Sequence, residues 1–310
     1  MEFKHVPVML NECLDGLKVK ANGVYFDGTL GGGGHSEEIL KKCAPNGLLI
    51  ATDRDDDAIS STSKRLSKYG ERVKIVKSNF KEFLSVVSNL EIFGIDGALL
   101  DLGVSSYQLD NRERGFSYMS IETTLDMRMD KQSKLSAYEV VNEYSYDKLK
   151  YIIATYGEEK FADNIAKNIV KQRQIKPIKT TGELVRICDL SIPFKFKRDT
   201  HPAKKTFQAI RIAVNEELDG LDTAIEDIAS RLNKGGRFAI ITFHSLEDRI
   251  VKTAFKKLTS GCTCDKRYPC VCNKVQSFIE ITHKPITASE VECEQNSRSK
   301  SAKLRIIEKN

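Results

Sequence analysis

The sequence contains no apolar run that approaches the length needed to cross a membrane, and residues 1–10 lack the apolar core of a signal peptide. We therefore expect a protein that has no membrane association and that resides in the reducing cytoplasm. Its 310 residues are enough for one large domain or two ordinary domains, each with a substantial core.

The glycine-rich stretch 25–36 (YFDGTLGGGGHS) lacks the glycine spacing of a dinucleotide site. Gly31 and Gly33 would need a third glycine at position 36, where the chain has Ser36. Asp27 stands at the loop entrance, where a carboxylate repels a pyrophosphate but attracts the ammonium or sulfonium group of S-adenosylmethionine. The loop therefore favours S-adenosylmethionine over a dinucleotide.

A second apolar run supplies an acid at a suitable distance from this loop. Residues 47–52 end in Asp53, which lies 19 positions beyond Gly34, near the spacing at which a carboxylate reaches ribose hydroxyls. The alternative is a glycine-rich turn without a ligand. Four consecutive glycines disfavour it, because they cost backbone entropy that a plain turn does not need.

Strand-like and helix-like segments alternate along the chain, which predicts a doubly wound α/β sheet. The predicted strands are residues 24–27, 48–53, 73–77, 97–101, 237–243, 278–283 and 304–308. The predicted helices between them are residues 36–42, 55–69, 81–90, 219–233 and 246–258. We expect the glycines at 235 and 236 to close a helix and to lead at once into a strand.

The interval between Asp101 and Arg237 is too long for a single crossover connection. Its pattern is helical over residues 136–142, 145–156, 158–173 and 181–189. We therefore predict a catalytic domain formed by residues 1–110 and 208–310, interrupted by an inserted helical domain of residues 111–207.

Positive charge is concentrated in one part of the chain. The net charge is +6, yet residues 171–211 alone contain eleven lysines or arginines and three acids, a net of +8. Phe194, Phe196 and Phe207 are interleaved with these cations. The pattern favours a surface that follows nucleic-acid phosphates and stacks on bases. The alternative is a solvated helix face whose aromatic residues belong to the core.

Eight cysteines in a cytoplasmic protein raise the question of a metal, not of disulfides. Cys262, Cys264, Cys270 and Cys272 follow a C-x-C-x5-C-x-C pattern that could surround one zinc ion. Because C-x-C is an unusual zinc spacing, we favour the alternative of a reduced, metal-free loop and predict no metal site.

Eight motifs, in the same order along nearly the whole chain, resemble those of the bacterial 16S ribosomal RNA (cytosine-N4) methyltransferase family. They lie at residues 27–36, 101–109, 114–117, 125–130, 201–203, 207–212, 242–248 and 299–305. The resemblance implies an S-adenosylmethionine-dependent methyltransferase fold interrupted by a helical domain. It also implies methylation of the exocyclic amine of a cytidine in the decoding region, with 16S rRNA in the small ribosomal subunit as the partner. Homodimer formation stays open.

The resemblance further implies the cofactor-binding positions, which are Gly33, Gly34, His35, Asp53, Phe80, Asp101 and Gln108. The pattern around Phe80 alone fits a core side chain equally well. Asp101 is also the candidate catalytic residue, because a carboxylate can align the target amine. One carboxylate would then have to serve both cofactor and substrate.

Other residues near these motifs could contact the substrate. Phe116 and Tyr118 could hold an unstacked base. His244 is followed by Ser245 and Glu247, but a G-x-S-x-G elbow is missing, so we interpret His244 as a substrate-side or structural residue.

Two rival classes remain. A DNA cytosine-N4 methyltransferase would show an Asp/Ser/Asn-Pro-Pro-aromatic turn, whereas this chain has DLGV at 101–104. A non-catalytic RNA-binding protein with a vestigial cofactor fold would explain the basic insert. It would not explain why the glycine loop, Asp53 and Asp101 are retained together.

Overall fold

The computed structural model describes residues 7–197, 201–261, 267 and 275–310. The strands are β1 (Val24–Asp27), β2 (Leu48–Asp53), β3 (Val73–Lys77), β4 (Ile95–Asp101), β5 (Leu232–Thr242), β6 (Phe278–Glu280), β7 (Ile286–Thr287) and β8 (Lys303–Lys309). The helices are α1 (Leu10–Leu17), α2 (Gly34–Lys42), α3 (Asp56–Leu66), α4 (Phe83–Asn89), α5 (Ser106–Asp110), α6 (Ala137–Glu143), α7 (Tyr146–Thr155), α8 (Ala162–Ile175), α9 (Thr181–Ser191), α10 (Lys204–Asn215), α11 (Leu221–Ser230), α12 (Ser245–Thr259) and α13 (Glu290–Gln295). Within the described ranges, no helix combines the length and hydropathy of a membrane-spanning segment.

The first compact unit comprises residues 1–103 and 220–310 and contains one sheet. The strand order is β3-β2-β1-β4-β5-β8-β6, and β7 pairs with β8. Strands β1 to β5 run parallel, whereas β8 runs antiparallel to β5. Apolar residues of β1, β2 and β4 are buried, as expected for a parallel sheet covered by helices on both faces. The predicted doubly wound α/β sheet is confirmed.

The predicted boundary between the helix of residues 219–233 and the strand of residues 237–243 is wrong. Helix α11 ends at Ser230, and β5 begins at Leu232, so the glycines at 235 and 236 lie inside a strand instead of closing a helix. Gly235 has φ +73°, and the pairing of β5 with β4 shifts register between Ile95 and Gly97. Gly235 therefore lies in a β-bulge, where the backbone needs a positive φ. Helices α1, α5, α10 and α13 and strand β7 were not predicted.

The second compact unit comprises residues 104–219 and is helical. It extends beyond the predicted limits of 111 and 207, because residues on both sides belong to its core. Helix α10 buries Phe207, Ile210 and Val214 in that core, and Leu109 packs against it. The side chain of Asn215 accepts a hydrogen bond from the backbone N–H of Met129 at 2.7 Å, which anchors the end of α10 within this unit.

Candidate active site

Three acids lie at the carboxyl ends of neighbouring parallel strands of the first unit. Asp27 ends β1, Asp53 ends β2 and Asp101 ends β4. Because parallel strands share one carboxyl edge, the three side chains lie along the edge at which open α/β sheets bind ligands.

The glycine loop joins β1 to α2 in a conformation that side chains would obstruct. Gly33 has φ +72°, and a Cβ there would lie 2.4 Å from Cγ2 of Thr62. A Cβ on Gly34 would lie 2.2 Å from Cγ of Pro7. The loop ends at the N-terminus of α2, whose first backbone N–H groups suit an anionic group such as a carboxylate.

The Asp53 carboxylate is tied to the backbone around it. Its Oδ2 accepts a hydrogen bond from the N–H of Gly31 at 2.8 Å, and its Oδ1 accepts one from Asp55 at 2.9 Å. Burial raises the pKa of Asp53, and the backbone bonds, including one from Arg54, oppose that rise. A carboxylate offers about four acceptor sites, so these three donors leave room for a ribose hydroxyl.

Asp27 and Asp101 form an acidic pair in which Asp27 is buried and Asp101 is partly exposed. The side chain of Asp101 is 26% exposed, and its Oδ1 is buried with no hydrogen-bond partner among the described residues. Burial raises the pKa of Asp101 to about 8, with further contributions from Asp27 and Glu247. Burial also raises the pKa of Asp27 to about 6, although Ser36 donates a hydrogen bond to its Oδ2 at 2.6 Å. A bound cation would offset the repulsion between the two negative charges and favour the ionised form of both side chains.

His35 lies between the glycine loop and Asp101. Its Nε2 is 3.0 Å from the carbonyl oxygen of Val8, which can only accept, so Nε2 carries a proton. Its Nδ1 is 3.9 Å from Oδ2 of Asp101. The structure thus places His35 beside Asp101, and the contacts of Gly33, Gly34 and His35 with the cofactor stay predictions.

Two predicted cofactor residues have different surroundings. Phe80 follows β3, is partly buried and packs against the core of the first unit; a Cβ on Gly28 would lie 2.8 Å from Cβ of Phe80. Gln108 belongs to the second unit, where its Oε1 accepts a hydrogen bond from the N–H of Ser105 at 3.0 Å and caps α5. Their contacts with the cofactor stay predictions.

His244 is the N-cap of α12. Its Nδ1 accepts a hydrogen bond from the backbone N–H of Glu247 at 3.4 Å, and its Nε2 is 3.1 Å from Oε1 of that residue. Glu247 is buried, and its Oε2 accepts a hydrogen bond from the N–H of Phe243 at 2.8 Å. Of the two interpretations of His244, this geometry supports the structural one.

The aromatic residues predicted to contact the substrate differ in their surroundings within the second unit. Phe116 and Phe207 are core residues, so their predicted contacts with bases are wrong. Tyr118 stacks on His201 with ring centroids 4.5 Å apart. Phe194 and Phe196 are 77% and 52% exposed.

Cys262, Cys264, Cys270 and Cys272, the candidate zinc ligands of the sequence, lie outside the described residues.

Sequence patterns did not indicate the residues that support the glycine loop from α3. Thr62 and Arg65 both donate side-chain hydrogen bonds to loop carbonyls. Thr62 lies 31 positions after Gly31, and Arg65 lies 33 positions after Gly32. No local signal marks them, since neither belongs to a glycine or acid motif.

The α/β sheet, the glycine loop and the acids at the strand ends define a nucleoside-cofactor enzyme of the methyltransferase class. The residues fit S-adenosylmethionine: Asp53 suits ribose hydroxyls, the start of α2 suits a carboxylate, and the acidic pair Asp27 and Asp101 suits a cationic group.

Comparisons with known proteins agree with this class. The model of the MraW methylase family matches residues 2–310. Ribosomal RNA small subunit methyltransferase H of Clostridium botulinum (strain Kyoto / Type A2) is 56% identical over 310 residues, covering 100% of both chains. The protein of that name from Clostridioides difficile (strain 630) is 54% identical over 311 aligned residues, again covering 100% of both. The chain therefore belongs to the MraW methylase family; it is a methyltransferase, and its cofactor is S-adenosylmethionine.

The acidic pair gives a stability prediction. The folded-state pKa of Asp101 is raised from 3.8 to about 8, so the unfolded chain releases this proton first and the free energy of unfolding falls as the pH rises between those values. Asp101→Asn cannot ionise. It should therefore raise the melting temperature of the cofactor-free protein at pH 9 by several degrees more than at pH 5. An equal change at both pH values would contradict the assignment.

Proposed function

We propose that this protein transfers a methyl group from S-adenosylmethionine to N4 of a specific cytidine in the decoding region of 16S rRNA, acting in the cytoplasm on the small ribosomal subunit. The observation that carries the proposal is the full-length identity of 56% to a protein named ribosomal RNA small subunit methyltransferase H. The acidic pair at the strand ends supports it, because such a pair suits a cationic methyl donor.

Cytosine N4 is a weak nucleophile, since its lone pair is delocalised into the ring. When bound, the cofactor supplies an electrophilic methyl group. The remaining task of the protein is to hold the amine in line, to stabilise the positive charge that develops on nitrogen, and to accept the proton that the methylated amine loses. Asp101 suits this task, because its side chain is 26% exposed at the carboxyl edge of the sheet and no described group binds its Oδ1.

We assign RNA recognition to the second unit. Lys195 and Lys204 have no carboxylate partner among the described residues, so they suit phosphates, and the neighbouring Phe194 exposes an aromatic face to solvent. Other cations of the basic stretch are already engaged: Lys197 is 2.8 Å from Asp189, and Lys205 donates a hydrogen bond to a backbone carbonyl.

The double variant Lys195→Ala/Lys204→Ala should weaken binding to the small subunit and should reduce the steepness of its salt dependence by about 1.5, the value for two lost phosphate contacts. Binding of S-adenosylmethionine should not change. The measurement is the dissociation constant at several salt concentrations.

A matched control removes the same charge elsewhere in the unit. Lys176→Ala/Lys197→Ala deletes two lysines that already pair with acids at 2.8 Å, so its salt slope should stay near that of the wild type. Phe194→Ala should weaken binding at every salt concentration without changing the slope, because stacking releases no counterions. Identical slopes for both lysine pairs would show that this surface does not bind phosphates.

The acceptor is identified in three parallel reactions. Each contains the protein, labelled S-adenosylmethionine and one acceptor, which is the small ribosomal subunit, free 16S rRNA or DNA. We expect label in ribosomal RNA and none in DNA. Label in DNA would support the rival DNA methyltransferase. Cofactor binding without transfer to any acceptor would support the non-catalytic RNA-binding protein.

A further inference from the structure

We propose that Thr62 and Arg65 of helix α3 are positioning residues of the cofactor site, because they fix the carbonyl groups of the glycine loop and so hold the loop ready to bind S-adenosylmethionine. The inference rests on the cofactor site of the proposed function. It assigns a role in binding to a helix that no motif indicates.

Thr62 holds the first half of the loop. It is buried, and its hydroxyl donates a hydrogen bond to the carbonyl oxygen of Gly31 at 2.7 Å. The N–H of the same glycine donates to Asp53 at 2.8 Å, so both polar backbone groups of Gly31 are fixed. The methyl group of Thr62 fills the space beside Gly33, where a Cβ would lie 2.4 Å away.

Arg65 holds the next glycine of the loop, Gly32. Its Nη1 donates a hydrogen bond to the carbonyl oxygen of Gly32 at 2.9 Å, while its Nη2 is 2.6 Å from Oε2 of Glu37. Glu37 lies in the first turns of α2 and also pairs with Lys68 at 2.5 Å. The planar guanidinium thus connects the loop to the helix that follows it, which a single ammonium group does less well.

These hydrogen bonds reduce the conformational entropy that the loop loses when the cofactor binds. Glycines have more backbone freedom than other residues, so a loop of four glycines pays a large entropy cost on ordering. With the carbonyls of Gly31 and Gly32 held by α3, this part of the loop is already ordered in the free protein, and preorganisation of this kind increases affinity. The effect should appear in binding and not in the chemical step.

The test measures the dissociation constant of S-adenosylmethionine by calorimetry and the single-turnover rate at saturating cofactor. Arg65→Met and Thr62→Val should each raise the dissociation constant by about fivefold, the effect of one lost hydrogen bond. The rate at saturation should stay within about twofold of the wild type, because neither side chain contacts the reacting groups. Melting temperatures show whether each variant is folded.

Two matched variants separate positioning from general stability. Lys68→Met removes the hydrogen bond that contributes most to the lowered pKa of Glu37, yet Lys68 makes no bond to the loop, so cofactor affinity should be unchanged. Thr62→Ser keeps the hydroxyl, so its affinity for the cofactor should be close to that of the wild type. The comparison of Thr62→Val with Thr62→Ser therefore tests the positioning role even if Arg65→Met does not fold.

Equal losses for Lys68→Met and Arg65→Met, or equal affinities for Thr62→Val and Thr62→Ser, would overturn the inference. Failure of the wild-type protein to bind S-adenosylmethionine would overturn the proposed function together with it. Wild-type binding that none of these variants weakens would overturn the positioning role alone.

Discussion

Asp101→Asn should reduce the single-turnover rate of methyl transfer by roughly a hundredfold or more, while cofactor affinity changes far less. The substitution keeps the shape of the side chain and one acceptor oxygen but removes the charge that stabilises the developing positive amine. The effect should grow as the pH rises through the pKa of Asp101 in the cofactor complex, because only the carboxylate form carries that charge; the bound sulfonium should lower this pKa below the value of about 8 in the free protein.

The control is Asp96→Asn, which makes the same change at the opposite end of β4. Asp96 accepts hydrogen bonds from the N–H of Val24 at 2.8 Å and from Asn233 at 3.0 Å, far along the strand from the carboxyl edge. It should leave the rate unchanged. If affinity and rate fall in proportion in Asp101→Asn, Asp101 is mainly a cofactor ligand and another group receives the proton of the amine.

Asp53→Ala should raise the dissociation constant of S-adenosylmethionine by about tenfold or more, because a charge-assisted hydrogen bond is worth roughly 1.5–3 kcal/mol. The structure adds a second reason. The same carboxylate holds the N–H of Gly31 at 2.8 Å, so its removal also releases the glycine loop. Calorimetric titration of the folded variant measures the loss.

Two variants sharpen this prediction. Asp53→Asn keeps one acceptor oxygen and should lose less affinity than Asp53→Ala. Asp56→Ala removes an acid three positions away that pairs with Lys77 at 2.7 Å on the surface, and it should bind the cofactor normally. Unchanged affinity in Asp53→Ala would remove Asp53 from the cofactor site.

The strands that carry the acids could be predicted from the sequence because their signals are local. Strands β1, β2 and β3 have the predicted limits, each being a short β-prone run followed at once by a polar or glycine-containing segment. Asp27 and Asp53 follow from those limits, and Asp101 ends β4, whose C-terminal limit is also the predicted one. Similar reasoning located α12 to within one residue at each end.

Other features depend on contacts that no local pattern encodes. Gly235 looks like a helix C-cap, yet the pairing of β5 with β4 places it in a bulge. Phe207 lies in a basic stretch, yet packing of α10 buries it. Arg65 reaches the glycine loop across 33 positions. In each case tertiary packing decides the role, and composition or spacing along the chain gives no equivalent signal.

Identification of the methylated nucleoside tests the transfer to cytidine N4 most directly. Small ribosomal subunits that lack the modification are incubated with the protein and labelled S-adenosylmethionine, and their RNA is digested to nucleosides and separated by chromatography with mass detection. We expect the label in N4-methylcytidine, at about one methyl group per subunit for a single specific site. Label in 5-methylcytidine or in a methylated adenosine would contradict the proposed function.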